Sequence, residues 1–413
     1  MKLLWLCNMA PGIAREKMGA GGLWIDHVLS DLRQRSDITI RILFPGNDGR
    51  QGSFDERCSC RAFSFGLPYE YKPEQEELFQ QELKSFQPDV IHIWGTEYAH
   101  TLAMVNAAEK MGLLDHLVVS IQGLCSEISR QYREGVPEKI CRSSTFRDFV
   151  RKDNILQQQE KFALRGENEL QALRKVRHVI GRTHWDRACG EKINPQVQYH
   201  FCNETLRDAF YQGQWSYDRC QKHRIFASSC AYPVKGFHYL LEAFGQVAKK
   251  YPDATLAVPG KSFFAPGFRE KLRQSGYQRY LAQLAKQYGI EEKIQFLGSL
   301  NAEQMEENYR NANVFVLPST IENSPNSLGE AMLLGVPCVA ADVGGVTTML
   351  VHEKEGCIYQ PAEAHMLAYH IQQIFAMGQE AEAMGNGAKA HARVTHDPET
   401  NLNALLSIYE SLK

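Results

Sequence analysis

Several features that would identify a chain at once are missing. No stretch of the 413 residues approaches the ~20 consecutive apolar residues of a membrane-spanning helix. Net charge is almost absent: 46 Lys and Arg stand against 48 Asp and Glu, a balance of −2. No global field would recruit nucleic acid or an anionic membrane, so any such attraction has to come from a local patch. The eleven cysteines are scattered without short repeated spacings. Cys58-x-Cys60 comes nearest to a motif and lacks a second Cys or His pair at zinc spacing. Idle thiols of a reduced compartment are the expected reading. The apolar opening from Met1 to Cys7 is short for a secretory h-region and is broken at Asn8 to Pro11, so the chain reads as cytoplasmic.

What is present is an ordinary globular balance, 44% hydrophobic and 23% charged, in a chain long enough for two domains. Short apolar runs alternate with longer amphipathic segments, the signature of βα units and parallel sheets. In the first half, strands are expected at 3–6, 38–44, 90–94, 117–121 and 179–180, with helices at 22–35, 74–86 and 97–111. A second series places strands at 225–227, 255–258, 294–297, 314–317 and 337–340 and helices at 237–250, 268–288, 303–311 and 328–334. The organisation predicted is α/β, with two Rossmann-like parallel-sheet domains over 1–210 and 222–397 and a polar seam at 211–221. A closing helix at 398–413 is placed as a candidate to cross back to the first domain. The stretch 130–182 carries 13 Lys and Arg against 7 Asp and Glu. It reads as a helical insertion of the first domain, either simply solvated or weakly basic toward a lipid surface at the inner face of a membrane.

Three constellations carry chemistry. The glycine loop Met18-Gly19-Ala20-Gly21-Gly22 opens a helix, where free amides favour an anion. It is not a dinucleotide fingerprint, because Trp24 stands at the third glycine position, and this disfavours a dehydrogenase. Lys235 in Tyr232-Pro233-Val234-Lys235-Gly236 lies between a strand and a helix and suits a diphosphate. Strand 314–317 then runs into Pro318-Ser319-Thr320-Ile321-Glu322-Asn323-Ser324-Pro325-Asn326-Ser327-Leu328-Gly329-Glu330. Glu322 and Glu330 flank a helix start at which Asn326 and Ser327 are expected as N-caps. Two carboxylates beside free amides suit a polyhydroxylated ligand that bears a phosphate.

This string resembles the E-x7-E motif of the retaining glycosyltransferases of family 4, which have the GT-B fold of two Rossmann-like domains facing across a cleft. The resemblance continues through Phe296-Leu297-Gly298, Gly335-Val336-Pro337-Cys338-Val339 and Asp342-Val343-Gly344-Gly345, and more loosely through Ile91-His92-Ile93-Trp94-Gly95. It implies that Glu330 binds the ribose hydroxyls, that Glu322 holds the donor hexose and that Lys235 neutralises the departing diphosphate. Lys235 and Glu322 are thus the catalytic pair. Gly21 and Gly22 would approach the diphosphate and Gly260 would leave room for the nucleotide. Leu297 and Gly298 would border the base, and the amides around Asn326, Ser327 and Leu328 would face the hexose and diphosphate. The donor would be a UDP- or GDP-sugar acting as co-substrate, and the acceptor a saccharide or lipid-linked hydroxyl in cell-surface glycoconjugate synthesis. The family needs no metal, and no Asp-x-Asp pair, the metal motif of the other main glycosyltransferase fold, occurs here.

Two departures stand out. Cys230 occupies the place of a family Arg, with Lys261 as a candidate replacement, and Gln122 in Ser120-Ile121-Gln122-Gly123 stands where the family often has His. An amide cannot act as a base, which leaves Gln122 as a hydrogen-bonding candidate on the acceptor side. His92 and Glu97 are the other acceptor-side candidates, each with a structural role as the alternative. The rival functions are a non-catalytic nucleotide-sugar binder and a nucleotide-sugar epimerase on the same fold.

Overall fold

A strand covered on both faces reads as a continuous apolar run, and Leu-Leu-Trp-Leu-Cys at the start of the chain is buried at every position. In the computed structural model, which describes residues 1–12, 25–46, 51–53 and 55–413, this run is the central β1 (Lys2–Cys7). The chain divides into two compact units. The first comprises Met1–Ser129, Lys161–Leu206 and His396–Lys413, and the second comprises Arg130–Glu160 and Arg207–Thr395.

The first unit holds an eight-stranded sheet in the order β3-β4-β2-β1-β5-β6-β7-β8. Its strands after β1 are β2 (Thr39–Pro45), β3 (Gln51–Ser53), β4 (Cys58–Phe63), β5 (Val90–Trp94), β6 (Leu117–Ser120), β7 (His178–Gly181) and β8 (Gln198–Phe201). All pairings are parallel except β3 on β4. Strand order reverses between β1 and β5, the point at which open α/β sheets form a crevice beyond the carboxyl ends of their strands. The terminal helix Pro398–Leu412 belongs here: Leu405, Ile408, Tyr409 and Leu412 are buried in one cluster with Leu3, Trp5 and Ile40. Each such side chain contributes about 1.5–3 kcal/mol on burial, enough to make this helix part of the unit's core.

The second unit holds an all-parallel six-stranded sheet in the order β11-β10-β9-β12-β13-β14. The strands are β9 (Arg224–Phe226), β10 (Thr255–Val258), β11 (Ile294–Phe296), β12 (Val314–Leu317), β13 (Cys338–Ala341) and β14 (Cys357–Tyr359). Read from β9 this is the 3-2-1-4-5-6 order of a doubly wound nucleotide-binding sheet, with its reversal between β9 and β12.

The two-domain α/β organisation predicted from sequence is the one observed, with differences in detail. The segment Arg130–Glu160 groups with the second unit, although its position in the chain placed it in the first. Asp148 explains why: fully buried, it accepts hydrogen bonds from Thr145 N at 3.2 Å and from Gly276 N at 2.8 Å, tying the insertion to the start of helix Gly276–Tyr288. The expected single helix over 268–288 is two, Phe268–Arg273 and Gly276–Tyr288, because Ser275 caps the second in a capping box with Gln278. Strands β3, β4, β8 and β14 and the helices Ala364–Met377 and Ala381–Thr395 were not foreseen.

Candidate functional site

The reversal point of the second sheet brings two of the predicted loops together. After β9 the chain makes a single 3-10 turn, Pro233–Lys235, and passes through Gly236 at φ 62 into helix Phe237–Lys250. A Cβ at Gly236 would overlap the carbonyl oxygen of Pro318, so only glycine lets the β9 and β12 loops touch. Thr320 N donates to Val234 O at 2.9 Å across that contact.

Lys235 and Glu322 meet here. Lys235 Nζ donates to Glu322 Oε1 at 2.6 Å, and Ser319 Oγ donates to the same oxygen at 2.7 Å. The Glu322 backbone is held as well, its carbonyl accepting from Gly345 N at 3.1 Å. Water reaches the Lys235 side chain, so the pair adds only ~0.2–1 kcal/mol to stability. Its consequence is chemical: one partly exposed cation and one largely buried carboxylate share the crest of the sheet.

Glu330 lies on the next helix, Asn326–Leu334, and is 4% exposed. Arg207, which sequence reasoning passed over, donates to its Oε1 from Nε at 2.8 Å, with Nη2 in an ion pair to the same oxygen at 2.7 Å. Burial raises the Glu330 carboxyl above its ordinary range, while Arg207 and the Tyr309 hydroxyl pull it back. Arg207 reaches Glu330 because the short helix Ala209–Gln212 packs on helix Asn326–Leu334 and Phe210 is fully buried against Tyr309. No hydrophobic periodicity marks 203–212, so pattern gave no signal for this arginine.

Asn326 and Ser327 are not caps. Pro325 is the N-cap, without a side-chain bond, and the two residues form the first helical turn. Leu328 N, expected to face a ligand, donates to Pro325 O at 2.9 Å. At the other end of the crest, Gly260 and Gly298 exchange backbone bonds, N to O, at 2.7 and 3.1 Å beyond β10 and β11. A Cβ on either would meet nothing within 4 Å, so the space above both is open. Leu297 beside them is half-buried. Cys230 is buried, and burial pushes its thiol up to about 11, so it carries no charge at neutral pH. Lys261 is exposed on the loop after β10. Gly21 and Gly22 lie outside the described residues.

In the first unit the three acceptor-side candidates part ways. His92 is fully buried in β5, with Nδ1 2.6 Å from Tyr409 Oη and Nε2 2.7 Å from Ser120 Oγ. Its ring stacks on Trp94 at 3.8 Å, and burial drives its pKa well below the ordinary value. Both nitrogens are occupied, so His92 is a structural tie among β5, β6 and the terminal helix. Gln122 donates to Glu204 Oε1 at 2.6 Å and accepts from Arg182 Nη2 at 3.3 Å, while Arg182 Nη1 binds Glu204 Oε2 at 2.7 Å. It is a member of that polar triangle, which lines a cavity of the first unit.

Glu97 is placed differently. It follows β5 at the reversal point of the first sheet and accepts from Asn8 Nδ2, just beyond β1, at 2.6 Å. Burial pushes its carboxyl up to about 7; Arg165 draws it down and the buried Glu169 raises it further. A carboxyl that changes charge near neutrality at the crest of a sheet can accept or supply a proton.

Residues 220–391, less than half of the chain, match the family profile described as Glycosyl transferases group 1. An uncharacterised glycosyltransferase of Methanocaldococcus jannaschii is 29% identical over 170 residues, 41% of this chain and 40% of that protein. A D-inositol 3-phosphate glycosyltransferase of Corynebacterium urealyticum is 28% identical over 184 residues, 43% of this chain and 41% of that one. The chain thus matches about two fifths of the length of these curated relatives. Among solved structures, sucrose-phosphate synthase from Thermosynechococcus elongatus superimposes with a TM-score of 0.72 over 100% of this chain and 99% of its own, at 17% identity. Anabaena HepE in complex with UDP-glucose does so at 0.66 over 99% and 100%, at 18% identity. At such identities the likeness establishes the fold, which is GT-B.

Proposed function

We propose that the chain is a retaining glycosyltransferase that moves a hexose from a UDP- or GDP-sugar to the hydroxyl of a saccharide or lipid-linked acceptor. The observation that carries this reading is the Lys235–Glu322 contact at the reversal point of a doubly wound sheet, with Glu330 anchored by Arg207 on the helix that follows. The group 1 profile, which covers Lys235, Glu322 and Glu330, supports it, as does the UDP-glucose bound by Anabaena HepE, a protein of the same fold.

In this reading Glu330 accepts hydrogen bonds from the ribose hydroxyls and Glu322 from those of the hexose. As the bond between the anomeric carbon and the diphosphate oxygen breaks, its electron pair stays on the diphosphate, where the Lys235 ammonium meets the growing charge. The acceptor oxygen bonds to the anomeric carbon from the same face, and its proton leaves with the diphosphate. Glu97 is the acceptor-side residue. No step is assigned to a metal.

Titration calorimetry with UDP, GDP and their sugars tests the reading. Glu330→Ala should weaken the free nucleoside diphosphate by ~1.5–3 kcal/mol, the worth of bonds to a charged acceptor. Glu322→Ala should leave the nucleotide nearly unaffected and weaken the intact sugar donor. Equal loss of bare nucleotide in both variants would sink the assignment. A non-catalytic binder has one observation in its favour, the uncharged Cys230 at the expected arginine position. Slow hydrolysis of the bound donor, which a transferase leaks and a binder does not, separates the two.

A further inference from the structure

Large apolar side chains exposed together need an explanation, because a single-chain surface rarely leaves them in contact with water as a group. Two short helices of the second unit do so. Phe146–Arg151 exposes Phe146 at 62%, Phe149 at 77% and Val150 at 63%, and Phe268–Arg273, which packs against it, exposes Phe268 at 77%. The chain does not bury them elsewhere because Asp148, on the opposite side of the first helix, is fixed by Gly276 N and by Arg147 Nη1 at 2.9 Å. That bond turns the phenylalanines outward.

The charges around them are mostly positive. Arg151, Lys152, Arg269, Lys271 and Arg273 are all exposed, against Glu270 as the exposed acid of the two helices. Arg147 is committed to Asp148 and Asp153. The broad basic stretch noted in the sequence is therefore not the feature that matters, since its residues divide between the two units. Aromatic side chains ringed by cations match the boundary layer of an anionic bilayer, where the rings enter the acyl region and the cations stay among the phosphates. We propose that this two-helix face docks the protein on an anionic lipid surface. The proposal is independent of the transferase reading, because neither helix carries a residue assigned to the donor.

Co-sedimentation of the full chain with phosphatidylcholine vesicles, and with vesicles of equal parts phosphatidylcholine and phosphatidylglycerol, tests it. Binding should appear only with the anionic vesicles and weaken as salt screens the cations. Phe146→Ser, Phe149→Ser and Phe268→Ser combined should lower the partition coefficient by at least about ten-fold. Arg151→Glu with Lys152→Glu and Arg269→Glu should abolish the preference for phosphatidylglycerol. All six side chains are on the surface, so the melting temperature should not change. Val394→Ser, which removes an apolar side chain 76% exposed elsewhere, should bind as the parent does. Three outcomes overturn the proposal: no binding to anionic vesicles, undiminished binding by the serine variant, or a dimer in sedimentation velocity that Phe149→Ser dissolves. The last would make the face a protein interface.

Discussion

Arg207 sets two guanidinium nitrogens on one oxygen of Glu330, Oε1: Nε donates a hydrogen bond at 2.8 Å, and Nη2 lies at an ion-pair distance of 2.7 Å. The carboxylate is anchored at one corner by a cation that enters from a different stretch of chain. Burial is the larger influence and raises the Glu330 carboxyl, and Arg207 opposes it, so removing the cation leaves burial less opposed and favours the protonated form further.

Arg207→Met should therefore make nucleotide binding depend on pH. An ionised Glu330 accepts from two ribose hydroxyls, whereas a protonated one accepts less well. Affinity is high above the Glu330 pKa and falls as pH drops through it, and removing Arg207 moves that fall to higher pH. Calorimetric Kd for UDP and GDP measured from acid to neutral pH should show a steeper decline toward acid in the variant, with Arg207→Lys intermediate. A uniform loss of affinity at every pH would mean that Arg207 serves only the packing of its segment.

Glu97 predicts a pH effect on stability. Its folded-state carboxyl is raised to about 7 from an ordinary 4.5. A raised acid favours the folded state below its unfolded pKa, and that contribution is lost as pH rises through the folded value. Glu97→Gln, which stays neutral, should match the parent near pH 4 and exceed it in stability by up to ~3 kcal/mol above pH 8. Urea denaturation at both pH values checks this. A parent that is more stable than the variant at high pH would show that the ionised carboxylate is well accommodated.

Much of the fold was legible because its signals are local. The runs at 90–94 and 314–317 coincide with β5 and β12, since strands buried on both faces must be apolar throughout. Strand β8, with an exposed or half-buried residue at each position, offered no such run. Within the site, Lys235 and Glu322 were visible as motif residues, but their contact depends on sheet order, which periodicity does not encode. Arg207 was invisible for the same reason: its meaning comes from packing against a helix more than a hundred residues later. His92 is the converse case: it sits at the centre of β5, a structural role was one of its two readings, and the partners that fill that role, Ser120 and Tyr409, could not be foreseen from its own neighbourhood.

Turnover is expected to survive excess EDTA. The cation proposed for the diphosphate is Lys235, and among the described residues no three His, Cys, Asp or Glu side chains converge as a metal site. Magnesium is expected at most to speed product release by binding the free diphosphate. Loss of activity in EDTA that only a divalent ion restores would contradict this. Single-turnover rates with and without chelator decide it, because they exclude product release.

The contact between Lys235 and Glu322 complicates the obvious test of either residue and supplies a better one. Lys235→Ala should lower kcat by roughly 10²-fold, by analogy with the loss of one donor to a developing anion. The same change strips a largely buried carboxylate of its cation and leaves Ser319 Oγ as its remaining side-chain donor among the described residues. Part of the penalty would then belong to an uncompensated Glu322 and not to the leaving group. Glu322→Gln in the Lys235→Ala background removes that charge. If Lys235 serves the departing diphosphate, the double variant should regain donor affinity while its single-turnover rate stays low, and the two substitutions should be far from additive in Kd. If Lys235 only balances Glu322, rate and affinity should recover together, and the catalytic assignment of the lysine falls.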